Sequence, residues 1–170
     1  ANPRGLQHDF RASALAGVAA GLGRMCRIGA LWTPEFGPTT LLACVVTDAD
    51  FQPTPPARFP PPCEACSAPC LQACPTAAMS AELVEIDIYG RAEQMFRLDF
   101  LRCEWAKRYG LVADSGPKFV GSNTDVKPPD GPITADDIAQ ALLQLDPLQK
   151  HWLCVVEPCL QACYRAWREL

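Results

Sequence analysis

The spacing of apolar and polar residues changes several times along the chain. Residues 11–22 (RASALAGVAAGL) are Ala-rich and carry no charge after Arg11, which predicts a helix stopped by Gly21 and Gly23. Residues 28–33 and 40–47 (TLLACVVT) are short apolar runs and predict two strands around the turn Pro34-Glu35-Phe36-Gly37-Pro38. Six Pro fall within 48–62, as expected of a stiff, extended connector. A short strand or hairpin is expected over 83–89. Met95, Leu98, Leu101 and Trp105 recur at helical spacing, which predicts one helix over 92–109. Residues 111–133 are rich in Gly, Pro, Asp and Ser and read as a long surface loop. Thr134, with Asp137 three residues on, caps a helix expected over 135–145. A last helical stretch carries Cys154, Cys159 and Cys163 to the C-terminus.

Composition adds constraints without changing that picture. The 170 residues are 49% hydrophobic and 20% charged, enough to bury a core. The formal net charge of −4 argues against non-specific nucleic-acid binding, which needs a basic face. The longest apolar stretch, residues 14–22, is too short for a bilayer, so no membrane span is expected. No signal-peptide pattern is seen, and because residue 1 is Ala we expect a processed N-terminus or a piece of a longer chain. No phosphate-binding loop, dinucleotide fingerprint or nucleophile elbow is present: Gly21-Leu22-Gly23 lacks the third Gly and a preceding strand.

Ten Cys redirect the reading, at 26, 44, 63, 66, 70, 74, 103, 154, 159 and 163. Disulfide scaffolds are usually shorter than about 80 residues, and a bridge between such close neighbours would close a small, strained loop. Four-cysteine zinc sites come as paired C-x2-C knuckles, a spacing only Cys63 and Cys66 have. Cys63-x2-Cys66-x3-Cys70-x3-Cys74-Pro75 instead follows the logic of a bacterial ferredoxin run. There three Cys wrap one 4Fe–4S cube, and the fourth, before Pro, ligates another. Ligation of this kind fits the cytoplasm or another reducing compartment.

An internal repeat extends the argument. Pro69-Cys70-Leu71-Gln72-Ala73-Cys74 recurs letter for letter as Pro158-Cys159-Leu160-Gln161-Ala162-Cys163. By that pseudo-symmetry Cys163 is the counterpart of Cys74, so each half lends a ligand to the other. One cluster is expected on Cys63, Cys66, Cys70 and Cys163, and a second on Cys74, Cys103, Cys154 and Cys159. Cys44 reads as a buried hydrophobe. Cys26, flanked by Arg24 and Arg27, reads as a packed thiol, the alternative being a thiol of lowered pKa. The expected fold is α+β, a ferredoxin-like double-cluster domain with flanking helices and long Pro/Gly-rich loops.

Ala20-Gly21-Leu22-Gly23, then residues 28–37 (IGALWTPEFG), then Val46-Thr47-Asp48, followed by the Cys run and Cys74-Pro75-Thr76, resemble the second half of epoxyqueuosine reductases and corrinoid reductive dehalogenases. The resemblance covers residues 8–80 well and the C-terminal Cys more loosely. It implies a double-cluster domain that passes electrons to a cobalamin, with residues 1–50 as a cofactor-adjacent part and 51–170 as the cluster domain. The alternatives are a non-catalytic iron–sulfur subunit of a larger redox complex and a zinc-stabilised binding module. A redox partner is expected in either iron–sulfur case, and anionic clusters favour a basic docking face on it. Gln7 falls near the family's proton-donor position, with His8 and Asp9 beside it. These read first as an exposed N-terminal turn. Glu35 reads as part of a turn, Trp32, Trp105, Trp152 and Trp167 as core aromatics, and His151 as no ligand.

Overall fold

A computed structural model of the chain describes residues 10–40, 42–43, 45–60, 63–109, 127–143 and 157–169. Helix α1 (Phe10–Ala19) ends where Gly21 takes φ +76° and its N–H bonds the Val18 carbonyl at 3.0 Å. Ala14 and Val18 are buried with Met25 and Leu31, and Leu15, Leu42 and Ile88 pack around them.

After α1 the chain reverses in a hairpin of β1 (Arg24–Met25) and β2 (Leu31–Trp32), with Met25 opposite Leu31. Its turn is closed by Gly29 N–H on the Cys26 carbonyl (2.8 Å) and Cys26 N–H on the Ala30 carbonyl (2.8 Å). Gly29 adopts φ +88°, which a side chain would resist. This corrects the expected strand pair over 28–33 and 40–47: the partner of 31–32 lies upstream. The Pro34–Pro38 turn closes only a single bridge, Thr33 to Gly37. No described residue of 40–47 is in a strand, and Val45 and Val46 stand 85% and 100% exposed. An apolar run with no face to bury does not fix a strand. Beyond it the chain runs on to residue 60 without helix or strand, as expected of the connector.

The second sheet is the hairpin β3 (Met79–Asp87) and β4 (Ala92–Leu98), in register Leu83–Phe96 through Asp87–Ala92, with an irregularity between Met79 and Leu83. Residues 92–98 are therefore strand, not the start of the expected helix. The inward positions of β4 include Glu93, Met95 and Phe96. A buried Glu and two adjacent buried positions break the two-residue alternation by which a strand is read from sequence. Helix α3 (Phe100–Tyr109) begins only after Asp99, whose carboxylate accepts the Arg102 N–H at 3.1 Å.

Three further helices complete the described elements. Helix α4 (Ala135–Leu142) carries the expected capping box: Asp137 N–H donates to Thr134 Oγ1, and Thr134 N–H to the Asp137 carboxylate. Helices α2 (Pro69–Gln72) and α5 (Pro158–Glu169) hold the two copies of the repeat and pack against one another. The fold is thus mixed, with two small antiparallel sheets. Among the described residues no helix is long and apolar enough to cross a membrane.

Candidate functional site

The repeat fixes where the thiols go. Each copy opens with Pro at the first helical position, which costs no hydrogen bond there, and carries Cys one residue later and again four residues beyond, one helical turn on. Because α2 packs on α5, the last Cys of each copy is offered to the other. Cys163 of α5 lines one cavity with Cys63, Cys66 and Cys70, closed by Arg27, Ile28, Ala68, Pro69 and Phe96. Cys74, past the end of α2, lies instead within electrostatic reach of Cys159 and Cys103.

The first group sits against an apolar cluster of Cys26, Ile28, Ala30, Cys70 and Phe96. Burial pushes the Cys70 thiol up to about 12, helped by negative charge on Cys163, Cys63 and Cys66. Cys63 is brought down to about 7, first by a hydrogen bond from Cys26 and then, against burial, by the Arg27 N–H and guanidinium. The Arg27 N–H lies 3.3 Å from Cys63 Sγ.

In the second group burial pushes Cys159 up, and the charges of Glu157, Cys103 and Cys74 push it further. Cys74 Sγ accepts the Ala78 N–H at 3.3 Å and lies 3.7 Å from the Thr76 hydroxyl. That hydroxyl in turn donates to the Arg102 carbonyl (2.9 Å), tying the end of the Cys run to α3 beside Cys103.

Cys63, Cys66, Cys70 and Cys163 thus line one cavity, Cys74 and Cys103 lie within electrostatic reach of Cys159, and Cys154 lies outside the described residues. So do Gln7, His8, Asp9, Cys44, His151 and Trp152. None of the eight described cysteines is in a disulfide. Among the described residues no three His, Cys, Asp or Glu side chains converge tightly enough to hold a single metal ion. In the first group the thiols line a common cavity. Glu35 is exposed in its turn, where the Phe36 N–H bonds Thr33 Oγ1 at 3.2 Å. Trp105 is buried, and Trp32 packs on the Cys26 cluster and meets Phe59 edge-on at 5.2 Å. Trp167 covers Gly37 so closely that a Cβ there would lie 2.5 Å from its ring.

Two features of the first group went unread in the sequence. Cys26 is held well above the ordinary thiol range by hydrogen bonds to Cys163 and Cys63 and by burial, the reverse of a thiol activated by its Arg neighbours. The hairpin that carries it is anchored by a buried ion pair, Arg24 Nε to Glu93 Oε1 at 2.6 Å. Glu93 Oε2 also accepts the Met25 N–H (3.1 Å), and Arg24 Nη1 donates to the Phe59 carbonyl (2.8 Å). An acidic residue in a strand gives no sign in sequence of its distant arginine. No family model, curated protein or solved structure matches the chain.

Proposed function

We propose that this chain is an electron relay carrying two 4Fe–4S clusters, one on Cys63, Cys66, Cys70 and Cys163, the other on Cys74, Cys103, Cys154 and Cys159. The carrying observation is the exchange between the repeats: the last Cys of each copy faces the thiols of the other half. Such clusters, when bound, supply reversible one-electron storage whose potential follows hydrogen bonding to the sulfurs and solvent access. The chain's own residues act on those two levers. The Arg27 and Ala78 N–H groups donate to Cys63 and Cys74, and Ile28 and Phe96 keep water from the first group. Together with the resemblance of residues 8–80, this makes the cluster-bearing part of a cobalamin-dependent reductase the reading we favour. The redox partner is then a corrinoid or a separate enzyme subunit.

The test is Fe, sulfide, Zn and Co content with a visible spectrum on anaerobically purified protein. About eight Fe per chain, four per cube, with a broad cluster absorption supports the relay. Stoichiometric Co adds the corrinoid, and its absence selects an electron-transfer subunit of a larger complex. Zn without Fe overturns the reading in favour of a zinc-stabilised module.

A further inference from the structure

The turn over residues 33–37 contributes to neither thiol group, yet the helix that carries two of the thiols rests on it. Thr33 and Gly37 are tied by two backbone bonds, Thr33 N–H to the Gly37 carbonyl (3.2 Å) and Gly37 N–H to the Thr33 carbonyl (2.8 Å). Gly37 takes φ +61°, and a Cβ on it would lie 2.5, 2.7 and 2.8 Å from Cε3, Cδ2 and Cζ3 of Trp167. The indole thus lies directly on backbone, where both the φ and the close approach call for glycine. On its own helix Trp167 meets the Tyr164 ring, centroids 5.5 Å apart, and Arg168 Nη1 reaches the Tyr164 hydroxyl at 3.5 Å.

Helix α5 has no fully buried residue. Cys159, Leu160 and Cys163 pack on the apolar cluster around Cys26, all within the first half of the helix. Trp167 stands one turn past Cys163 and more than two turns past Cys159, so it shares a face with Cys163. A helix opens first at its last turn, where few contacts hold it. Freed of Trp167, that opening would reach Cys163 before Cys159. We propose that Trp167, seated on the Gly37 turn, is a positioning residue that pins the end of α5 and so keeps Cys163 at the cavity lined by Cys63, Cys66 and Cys70. This inference rests on the two-cluster reading.

The test uses the full chain with both clusters reconstituted anaerobically from ferrous iron and sulfide, challenged with a ferrous chelator and with iodoacetamide. In Trp167→Ala half of the bound iron passes to the chelator about tenfold faster than in wild type, the weight of one aromatic contact in a local opening equilibrium. The other half leaves at the wild-type rate. The EPR signal that fades first is the one absent from Cys63→Ala with Cys163→Ala. Alkylation, located by peptide mass, rises at Cys163 and not at Cys159. Trp167→Phe keeps a ring on Gly37 and restores most of the protection. Iron release and alkylation unchanged in Trp167→Ala overturn the inference. So do equal losses from both clusters or equal labelling of Cys159 and Cys163, which mark general loosening, and a Phe variant as labile as Ala. Wild-type protein that takes up no iron and sulfide sinks the two-cluster reading itself, and the contrast between Cys163 and Cys159 alkylation then still reads the Trp167 contact.

Discussion

The two thiol groups are built from the same six letters and end in different surroundings. The Cys63, Cys66, Cys70 and Cys163 group faces Ile28 and Phe96, with Cys26 behind it and the Arg27 N–H on Cys63. The Cys74, Cys103 and Cys159 group meets the Glu157 charge, the Thr76 hydroxyl and the Ala78 N–H. The repeat places Cys163 beside the Cys63 run and Cys74 beside Cys159, and unrelated segments supply each environment: the β1–β2 hairpin on one side, α3 on the other. Duplication alone would give two equal sites. The hairpin and α3 make them unequal.

The largest effect tests whether the exchange exists. In our assignment Cys63→Ala with Cys163→Ala disables one cluster and leaves about four Fe per chain. Cys159→Ala with Cys163→Ala disables both and leaves almost none. The opposite order of iron contents would put Cys159 and Cys163 on one cluster and break the comparison at its root. Iron and sulfide assays on the reconstituted pair of double variants decide it.

The next effect belongs to the first group alone. Glu93→Ala leaves Arg24 buried without its carboxylate, a change that costs about 3–5 kcal/mol. Removing Arg24 as well, in Arg24→Met with Glu93→Leu, recovers most of that cost, because apolar groups of similar volume replace a buried pair at little loss. Urea unfolding followed by circular dichroism measures the cost. Visible absorption should show the Cys63 group failing at lower urea than the Cys74 group in Glu93→Ala, since only the first is held through this hairpin.

Features whose cause is local were legible in the sequence. The Thr134–Asp137 capping box, the Pro-rich connector and the helix stop near Gly21 are each settled within a few residues, and each stands as read. The meeting of Cys163 with the Cys63 run was legible too, because an exact repeat carries a long-range statement in local letters. What escaped depends on partners far along the chain. Glu93 pairs with a residue 69 positions away, and with that pair unseen β4 looked helical. Cys26 stood alone in sequence because Cys63 and Cys163, which pack against its cluster, lie 37 positions and more downstream, brought to it by a turn that no Cys spacing encodes.

A smaller change sharpens the second group. Thr76 is 4% exposed, and its hydroxyl joins the Cys74 end of the run to the Arg102 carbonyl. Thr76→Val keeps the shape but removes the hydroxyl's bond to that carbonyl and its polar contact to Cys74, at a cost of about 1 kcal/mol. Denaturant midpoints should fall accordingly. The cluster signal that changes in EPR should be the one that survives in Cys63→Ala with Cys163→Ala, and a shift confined to the other signal would merge the two environments we separate.

The smallest effect serves as a control outside both groups. Helix α4 holds no cysteine, and its first turn depends on the Thr134–Asp137 box. Thr134→Ala removes the cap at about 1 kcal/mol and should leave the iron content and both cluster signals as they are. The box also sets an acid dependence. The backbone N–H and hydroxyl of Thr134 hold the Asp137 carboxyl below its ordinary value of 3.8. A carboxylate depressed by folding contributes stability that is fully present above its unfolded pKa and lost as pH falls through the folded one. Wild-type α4 should therefore be indifferent to pH across the neutral range and begin to lose its advantage over Thr134→Ala only below about pH 4. Amide exchange at Asp137 and Ile138, compared between the two proteins at neutral and acid pH, reads this directly. A gap between them that persists unchanged at the acid end would show that the hydroxyl cap acts without the carboxylate.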